Sequence, residues 1–122
     1  MGENTTDGTV SVLLGVAGSA LRARVRAVDA AAVERALTAV QDQATATVDL
    51  ICATSTIRPV GEHAEGNLEI ETTGSVSRRA LRRISILTGR GMARLGYRLD
   101  REVVVGSGQV VSVYTRNRRV RA

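Results

Sequence analysis

With 122 residues, of which 43% are hydrophobic and 24% charged, and a net charge of +5, the chain has the size and composition of one globular domain. The single cysteine, Cys52, excludes an internal disulfide. The apolar runs of the chain are all shorter than the roughly 20 residues of a membrane span. The start of the chain lacks the pattern of a signal peptide, so we expect a cytoplasmic protein or a subunit of a particle assembled in the cytoplasm.

The first half of the chain predicts two strands, a helix and a third strand. Residues 9–16 are apolar and β-branched, and residues 21–28 alternate between apolar residues and arginines, which is typical of a strand with one solvent face. Asp29 is a good N-cap for the amphipathic helix that follows. Strand composition returns at residues 46–57, and residues 58–67, which hold the only proline and the only histidine, predict a loop.

The second half predicts a strand, a helix and a hairpin. Residues 68–72 alternate as a strand, and residues 74–89 place apolar residues at helical spacing. Gly89 is the expected C-terminal stop of this helix. Residues 95–105 and 109–116 predict two strands joined by a short loop, Gly-Ser-Gly.

The predicted order is ββαββαββ, which favours an α+β fold. Its inner part, βαββαβ, is the ferredoxin-like arrangement, a mostly antiparallel sheet with two helices on one face. We expect the extra strand at each end to widen the sheet or to form a projecting arm. Residues 1–8 are predicted to be a flexible N-terminus, residues 9–116 a single α+β domain, and residues 117–122 a basic tail.

The arginines concentrate in the second half of the chain. Residues 1–73 hold five arginines and ten acids, whereas residues 74–122 hold twelve arginines and two acids. There is no lysine, and this arginine usage is typical of a GC-rich bacterial or phage genome. The asymmetry indicates either an anionic partner or mutual neutralisation of the two halves within one fold.

Residues 75–94 contain six arginines and no acid. Arg78 and Arg82, like Arg79 and Arg83, are like charges one turn apart, and each such pair destabilises an isolated helix by about 0.2–0.5 kcal/mol. The helix dipole also disfavours cations in the first turn. These charges therefore need compensation from outside the helix.

Two sources of compensation are open. Glu69 and Glu71 on the preceding strand could neutralise part of the charge. An external anion could supply the rest, and the small residues Gly74 and Ser75 before the helix leave room for a phosphate at exposed backbone N–H groups.

A basic helix, a glycine-tipped hairpin and a basic tail suit a phosphate backbone. The chain offers only Tyr97 and Tyr114 for stacking on bases, so we expect contacts with the backbone or the shape of a nucleic acid. We favour RNA as the ligand and expect a non-specific affinity of about 10⁻⁴–10⁻⁶ M. The candidate nucleic-acid or anion-binding residues are Arg78, Arg79, Arg82, Arg83, Arg90, Arg94, Arg116, Arg118 and Arg119.

Two stretches resemble known families. Residues 21–45 and 80–99 are similar to the opening strand and helix and the closing helix and strand of the NusE family of small-subunit ribosomal proteins. That resemblance implies a ferredoxin-like fold and RNA binding. Residues 68–116 are similar to the second half of Alba-type nucleic-acid-binding domains, in which a long β-hairpin arm follows the helix. This second resemblance implies nucleic-acid contacts at Arg78, Arg79 and the hairpin around Gly106–Gly108.

Other reactive residues do not form a motif. Cys52 lies in an apolar strand, which predicts a buried structural thiol, and His63 with Glu62 and Glu65 indicates a solvated loop rather than a metal site. No zinc spacing, dinucleotide-binding glycine pattern or phosphate-binding loop motif is present. We therefore expect no catalytic residues, no metal, no cofactor and no enzymatic activity.

An alternative function is structural. The acidic and basic halves permit head-to-tail contacts between copies, and strands at both ends of the chain offer edges for strand addition. A subunit of a homo-oligomeric or phage-type particle, or a domain that binds an acidic protein surface, fits the same composition.

Overall fold

The computed structural model describes residues 8–106 and 108–116. The chain is α+β in the order ββαββαββ, as the sequence predicts, and the expected flexible N-terminus and basic tail lie outside these residues except for Gly8. The elements are β1 (Thr9–Ala17), β2 (Ala20–Ala27), α1 (Ala30–Thr47), β3 (Leu50–Val60), β4 (His63–Thr72), α2 (Arg78–Arg94), β5 (Tyr97–Val105) and β6 (Gln109–Arg116).

The six strands form one sheet in the order β3-β4-β2-β1-β6-β5, and all neighbours are antiparallel. The ferredoxin-like strand order is not confirmed, because that arrangement would place β2 beside β5. Here β1 and β6 lie between them. The tight β1–β2 turn holds β1 against the free side of β2, and β6 then pairs with β1. The strands expected as outer additions are therefore inside the sheet, β1 at its centre and β6 beside the edge strand β5.

Both helices pack on the same face of the sheet. The buried residues of β1, β2, β4 and β6 alternate with exposed or half-buried ones, so one face of the sheet is apolar. Helix α1 covers β2, β3 and β4, α2 covers β1, β5 and β6, and the helices contact each other. No helix of residues 8–106 and 108–116 lies on the opposite face of the sheet, and we call it the open face.

The loop expected at residues 58–67 is mostly strand. β3 and β4 continue through it and meet in a two-residue turn, at which Gly61 has the positive φ of +64° that such hairpins favour. Gly66, inside β4, lies against Val33 and Leu37 of α1. This glycine serves the close approach of helix and sheet rather than a loop, which its sequence context does not distinguish.

Helix α2 is shifted toward the C-terminus relative to the prediction. It begins after the N-cap Ser77, whose Oγ accepts a hydrogen bond from the Ala80 amide at 3.0 Å. It continues through Gly89, the expected stop, which lacks the positive φ of a helix-terminating glycine. The helix ends at Arg94, and the glycine that terminates it is Gly96, whose φ of +95° suits only glycine. Within the described ranges, neither helix is long and apolar enough to cross a membrane.

Candidate nucleic-acid interface

One face of α2 is lined by arginines. Arg79, Arg83, Arg90 and Arg94 are four, seven and four residues apart, so they project from the same side of a helix with 3.6 residues per turn. All four are exposed, and together they extend along about 22 Å of the helix axis. We call these four residues the arginine face.

The orientation of the arginine face is fixed by the core. Leu81, Ile84 and Met92, on the opposite side of α2, are buried under the helix against the sheet. Because the apolar side of α2 packs against the sheet, the arginines on the other side of the helix must point to solvent. Ile86, between Arg83 and Arg90, remains 50% exposed.

One arginine of α2 is neutralised within the described ranges. The Arg82 guanidinium lies 3.2 Å from the Glu102 carboxylate of β5, which also accepts a hydrogen bond from Ser85 Oγ at 3.3 Å. The other ion pairs of residues 8–106 and 108–116 involve no arginine of α2. Arg78, which is exposed, and the arginine face have no acid within 4 Å in that part of the chain.

Glu69 and Glu71 do not neutralise α2, which corrects the first expectation. Glu69 lies 2.9 Å from Arg22 of β2. The thiol of Cys52 donates to Glu71 at 3.5 Å. Both carboxylates lie on the open face, which is the side of the sheet away from the helices.

Within the first half of the chain, the acids of β4 neutralise three arginines, Arg22, Arg26 and Arg58. Glu65, which is buried, lies 3.5 Å from Arg26 and 3.3 Å from Arg58, also on the open face. These ion pairs lie within the first half of the chain and do not neutralise the second half, so among the described residues only Arg82 of the α2 arginines has an acid within 4 Å.

Gly74 and Ser75 do not form the first turn of α2. The carbonyl oxygen of Gly74 accepts a hydrogen bond from Thr72 Oγ at 2.6 Å. The N-cap of the helix is Ser77, which satisfies the amide of Ala80 with its own hydroxyl. Gly74 and Ser75, where we expected a phosphate, therefore precede the N-terminus of the helix and do not form it.

Arg116 lies near the C-terminal end of the arginine face. Its guanidinium carbon is 5.6 Å from the centre of the Tyr97 ring, and Tyr97 follows the turn that ends α2 just after Arg94. Arg118 and Arg119 lie outside the described residues.

The β5–β6 hairpin is part of the sheet. β6 pairs with β1 along most of its length, and the Val16 amide donates to the Gly108 carbonyl at 2.9 Å. The end of β5 next to the tip carries exposed valines, Val103–Val105, whereas the two arginines of this strand, Arg98 and Arg101, lie nearer its start. The described part of this hairpin is thus not the projecting basic arm that the Alba-type resemblance implies.

Two further expectations concern reactive residues. Cys52 was expected to be buried and is exposed, because β3 is an edge strand of the sheet. Its hydrogen bond to Glu71 is the largest cause that raises the pKa of the thiol, and slight desolvation and the negative charges of Glu71 and Glu69 add to it. His63 is exposed at the start of β4, and its neighbour Glu65 is engaged by two arginines.

The charged ladder on the open face is absent from the expectations drawn from the sequence. Arg22 and Arg26 of β2 stand opposite Glu69 and Glu65 of β4. The signal was present, since arginines alternate at residues 22–26 and acids recur with the same period of two at residues 65–71. Matching periods of opposite charge indicate cross-strand pairing.

Comparison with known proteins supports the fold. No family model matches the chain, and no curated protein does either. A similar solved structure is the crystal structure of a conserved kinetoplastid-specific protein from Trypanosoma cruzi. It superposes with a TM-score of 0.56 at 10% identity, over 95% of this chain and 100% of that chain. At this identity the likeness establishes a shared α+β architecture.

Proposed function

We propose that the protein is a small non-enzymatic nucleic-acid-binding protein of the cytoplasm, or of a particle assembled there, and that the arginine face of α2 holds the phosphate backbone. The observation that carries this proposal is a row of four exposed arginines without an acid within 4 Å in the described chain. Like charges on one helix face are unfavourable alone and become favourable when an anion neutralises them. Guanidinium groups bind phosphate in a bidentate way.

Backbone recognition fits the surroundings of the arginine face. Both tyrosines are buried, Tyr97 to 4% and Tyr114 to 2% exposure, so neither ring is free to stack on a base. We expect little sequence preference and a strong dependence on salt. The preference for RNA rests on the resemblance of residues 80–99 to the NusE family.

The test uses fluorescence anisotropy with labelled single-stranded RNA, duplex RNA and duplex DNA at about 50 and 200 mM salt. Arg83→Gln/Arg90→Gln removes two charges of the arginine face without touching the core. If both contact phosphate, affinity falls at least tenfold, and the slope of log affinity against log salt decreases by about 1.4 for a single strand. Circular dichroism verifies that the variant is folded.

The matched control is Arg35→Gln, the same substitution at an exposed position of α1, compared with the single variant Arg83→Gln. We expect Arg83→Gln to weaken binding and Arg35→Gln to leave it within twofold. Equal losses from the two would mean that net charge alone attracts nucleic acid. Wild-type protein that binds none of the three ligands at low salt refutes the proposal.

The edges of the sheet favour assembly as a second candidate function. β3 and β5 each pair on one side only within the described structure, and β5 exposes three consecutive valines, Val103–Val105. A long apolar edge strand is a template for pairing with another chain. Light scattering after size exclusion tests this: oligomers that Val104→Lys dissociates support assembly, and a monomer at all concentrations excludes it.

A further inference from the structure

The open face carries three cross-strand rows of polar side chains. The strand register aligns Arg26 with Glu65 and Arg22 with Glu69. Both of these rows contain an ion pair. The row between them aligns Arg24 with Asn67, an amide in the position where its neighbours have a carboxylate.

Arg24 is consequently without an acid at ion-pair distance in the described chain. Its diagonal neighbours Glu65 and Glu69 are directed to other arginines at 2.9–3.5 Å. The residue opposite Arg24 on β1 is Leu13, which brings no charge. The centre of the open face therefore presents one guanidinium that no acid of the described chain neutralises.

A groove of about 440 Å³ lies beside this guanidinium on the open face. Small residues of the β1–β2 hairpin, Gly15, Ala17 and Ala20, leave space between longer side chains. The groove is lined by both apolar and polar groups, including Leu13 on one side of Arg24 and Thr56 beyond Asn67 on the other. Its volume is in the range of small-molecule sites.

We propose that this groove binds a small organic molecule with a single carboxylate, which Arg24 holds by a charge-assisted hydrogen bond while the apolar body of the ligand lies over Leu13 and the alanines. The charge balance selects the ligand class. Arg22 and Glu69 neutralise each other at one end of the groove, so Arg24 leaves one positive charge to be matched. The amide of Asn67 and the hydroxyl of Thr56 add neutral hydrogen-bonding groups on the β4 side.

This site is separate from the arginine face, because it lies on the side of the sheet that carries no helix. Its ligand therefore does not depend on whether α2 binds nucleic acid. A single-stranded RNA lying across the open face is the competing occupant, and the experiment distinguishes the two.

The test is titration of ¹⁵N-labelled protein with benzoate and with its neutral isostere benzamide at about 1–10 mM, where ligands of this size bind. We expect benzoate to shift amide signals of β1, β2 and β4 around Leu13, Arg24 and Asn67. Benzamide should bind at least tenfold more weakly, because it brings no charge to the guanidinium.

Two variants test the geometry. Arg24→Gln should weaken benzoate binding at least tenfold, whereas the exposed control Arg35→Gln should leave it unchanged. Gly15→Val should fill the groove and abolish binding. A Cβ at position 15 meets only ordinary contacts, the nearest being Gln109 Cγ at 3.5 Å, and valine favours strands. The spectrum of the free variant shows whether it is folded.

Four results overturn the proposal: no benzoate binding to the wild type, equal binding of benzamide, unchanged binding to Arg24→Gln, or signal changes confined to α2. Displacement of benzoate by an RNA oligonucleotide, with RNA-induced shifts in β1, β2 and β4, also overturns it and assigns the groove to nucleic acid.

Discussion

Gly66→Ala tests the contact between α1 and the sheet. A Cβ added at this position would lie 2.4 Å from Val33 Cγ1 and 2.7 Å from Leu37 Cδ1, closer than carbon atoms approach in folded proteins. Both side chains are buried, Val33 to 0% and Leu37 to 4% exposure, so neither can turn out to solvent. The methyl group must therefore displace the helix, the strand or both.

Two opposing effects set the magnitude. Overpacking a core by one carbon costs about 1–3 kcal/mol. Replacing glycine by alanine also restricts the unfolded chain, which stabilises the folded state by about 0.4–1 kcal/mol. The net loss lies between about 0 and about 2.6 kcal/mol. With an unfolding entropy of about 2.1 cal/mol/K per residue, 122 residues lose about 4 °C of Tm per kcal/mol, so Tm falls by up to about 10 °C.

The assay is thermal and urea denaturation followed by circular dichroism, with Gly74→Ala as the matched control. Gly74 has no atom within 4 Å of an added Cβ and no positive φ, so the same substitution there should be neutral or slightly stabilising. In a double-mutant cycle, Val33→Ala should make Gly66→Ala less costly, because the smaller side chain leaves room for the methyl group. Equal stability of the two glycine variants, or zero coupling to Val33, refutes the packing of α1 on β4.

Three further perturbations test single contacts. Glu102→Gln should cost at most about 1 kcal/mol in urea denaturation, because the Arg82 side chain is 41% exposed and solvent screens the pair; a loss above about 2 kcal/mol contradicts this. Glu71→Gln should accelerate alkylation of Cys52 by iodoacetamide, since Glu71 raises the pKa of the thiol; an unchanged rate refutes the hydrogen bond. Burial raises the pKa of the Tyr114 hydroxyl, so its contribution to stability is complete below about pH 10 and is lost as the pH rises through the higher folded-state value. The wild type should then lose more stability above pH 10 than Tyr114→Phe in denaturation at a series of pH values, and parallel losses exclude the effect.

The local pattern of the sequence predicts the elements, and the errors occur where tertiary contacts decide. Gly66 and Gly89 resemble a loop residue and a helix stop in the sequence. In the fold, Gly66 lies under α1, where an added Cβ would clash with Val33 and Leu37. Gly89 instead continues the helix, and an added Cβ there would make only an ordinary contact with the Tyr114 hydroxyl at 3.5 Å. A one-dimensional pattern does not contain the neighbour that makes a glycine necessary.

The order of the strands in the sheet also cannot be predicted from the sequence pattern. Alternation shows that residues 21–28 form a strand with one wet face, but not which strands lie beside it. The position of β1 and β6 inside the sheet follows from the β1–β2 hairpin and the pairing of β6 with β1, a contact between the two ends of the chain. This order also makes β3 an edge strand, which is why Cys52 is exposed rather than buried.

The fold decides which arginines the acids of the chain can reach. The composition of the two halves permits partial mutual neutralisation, since the chain has 17 arginines and 12 acids. The register nevertheless assigns Glu65 and Glu69 of β4 to Arg22, Arg26 and Arg58 on the open face. Because side chains alternate across a strand, these acids cannot also reach the helices on the other side of the sheet. The arginine face of α2 is thus left to solvent or a partner, because the register of β4 places its acids on the open face. A shift of β4 by one residue would turn these acids toward the helices.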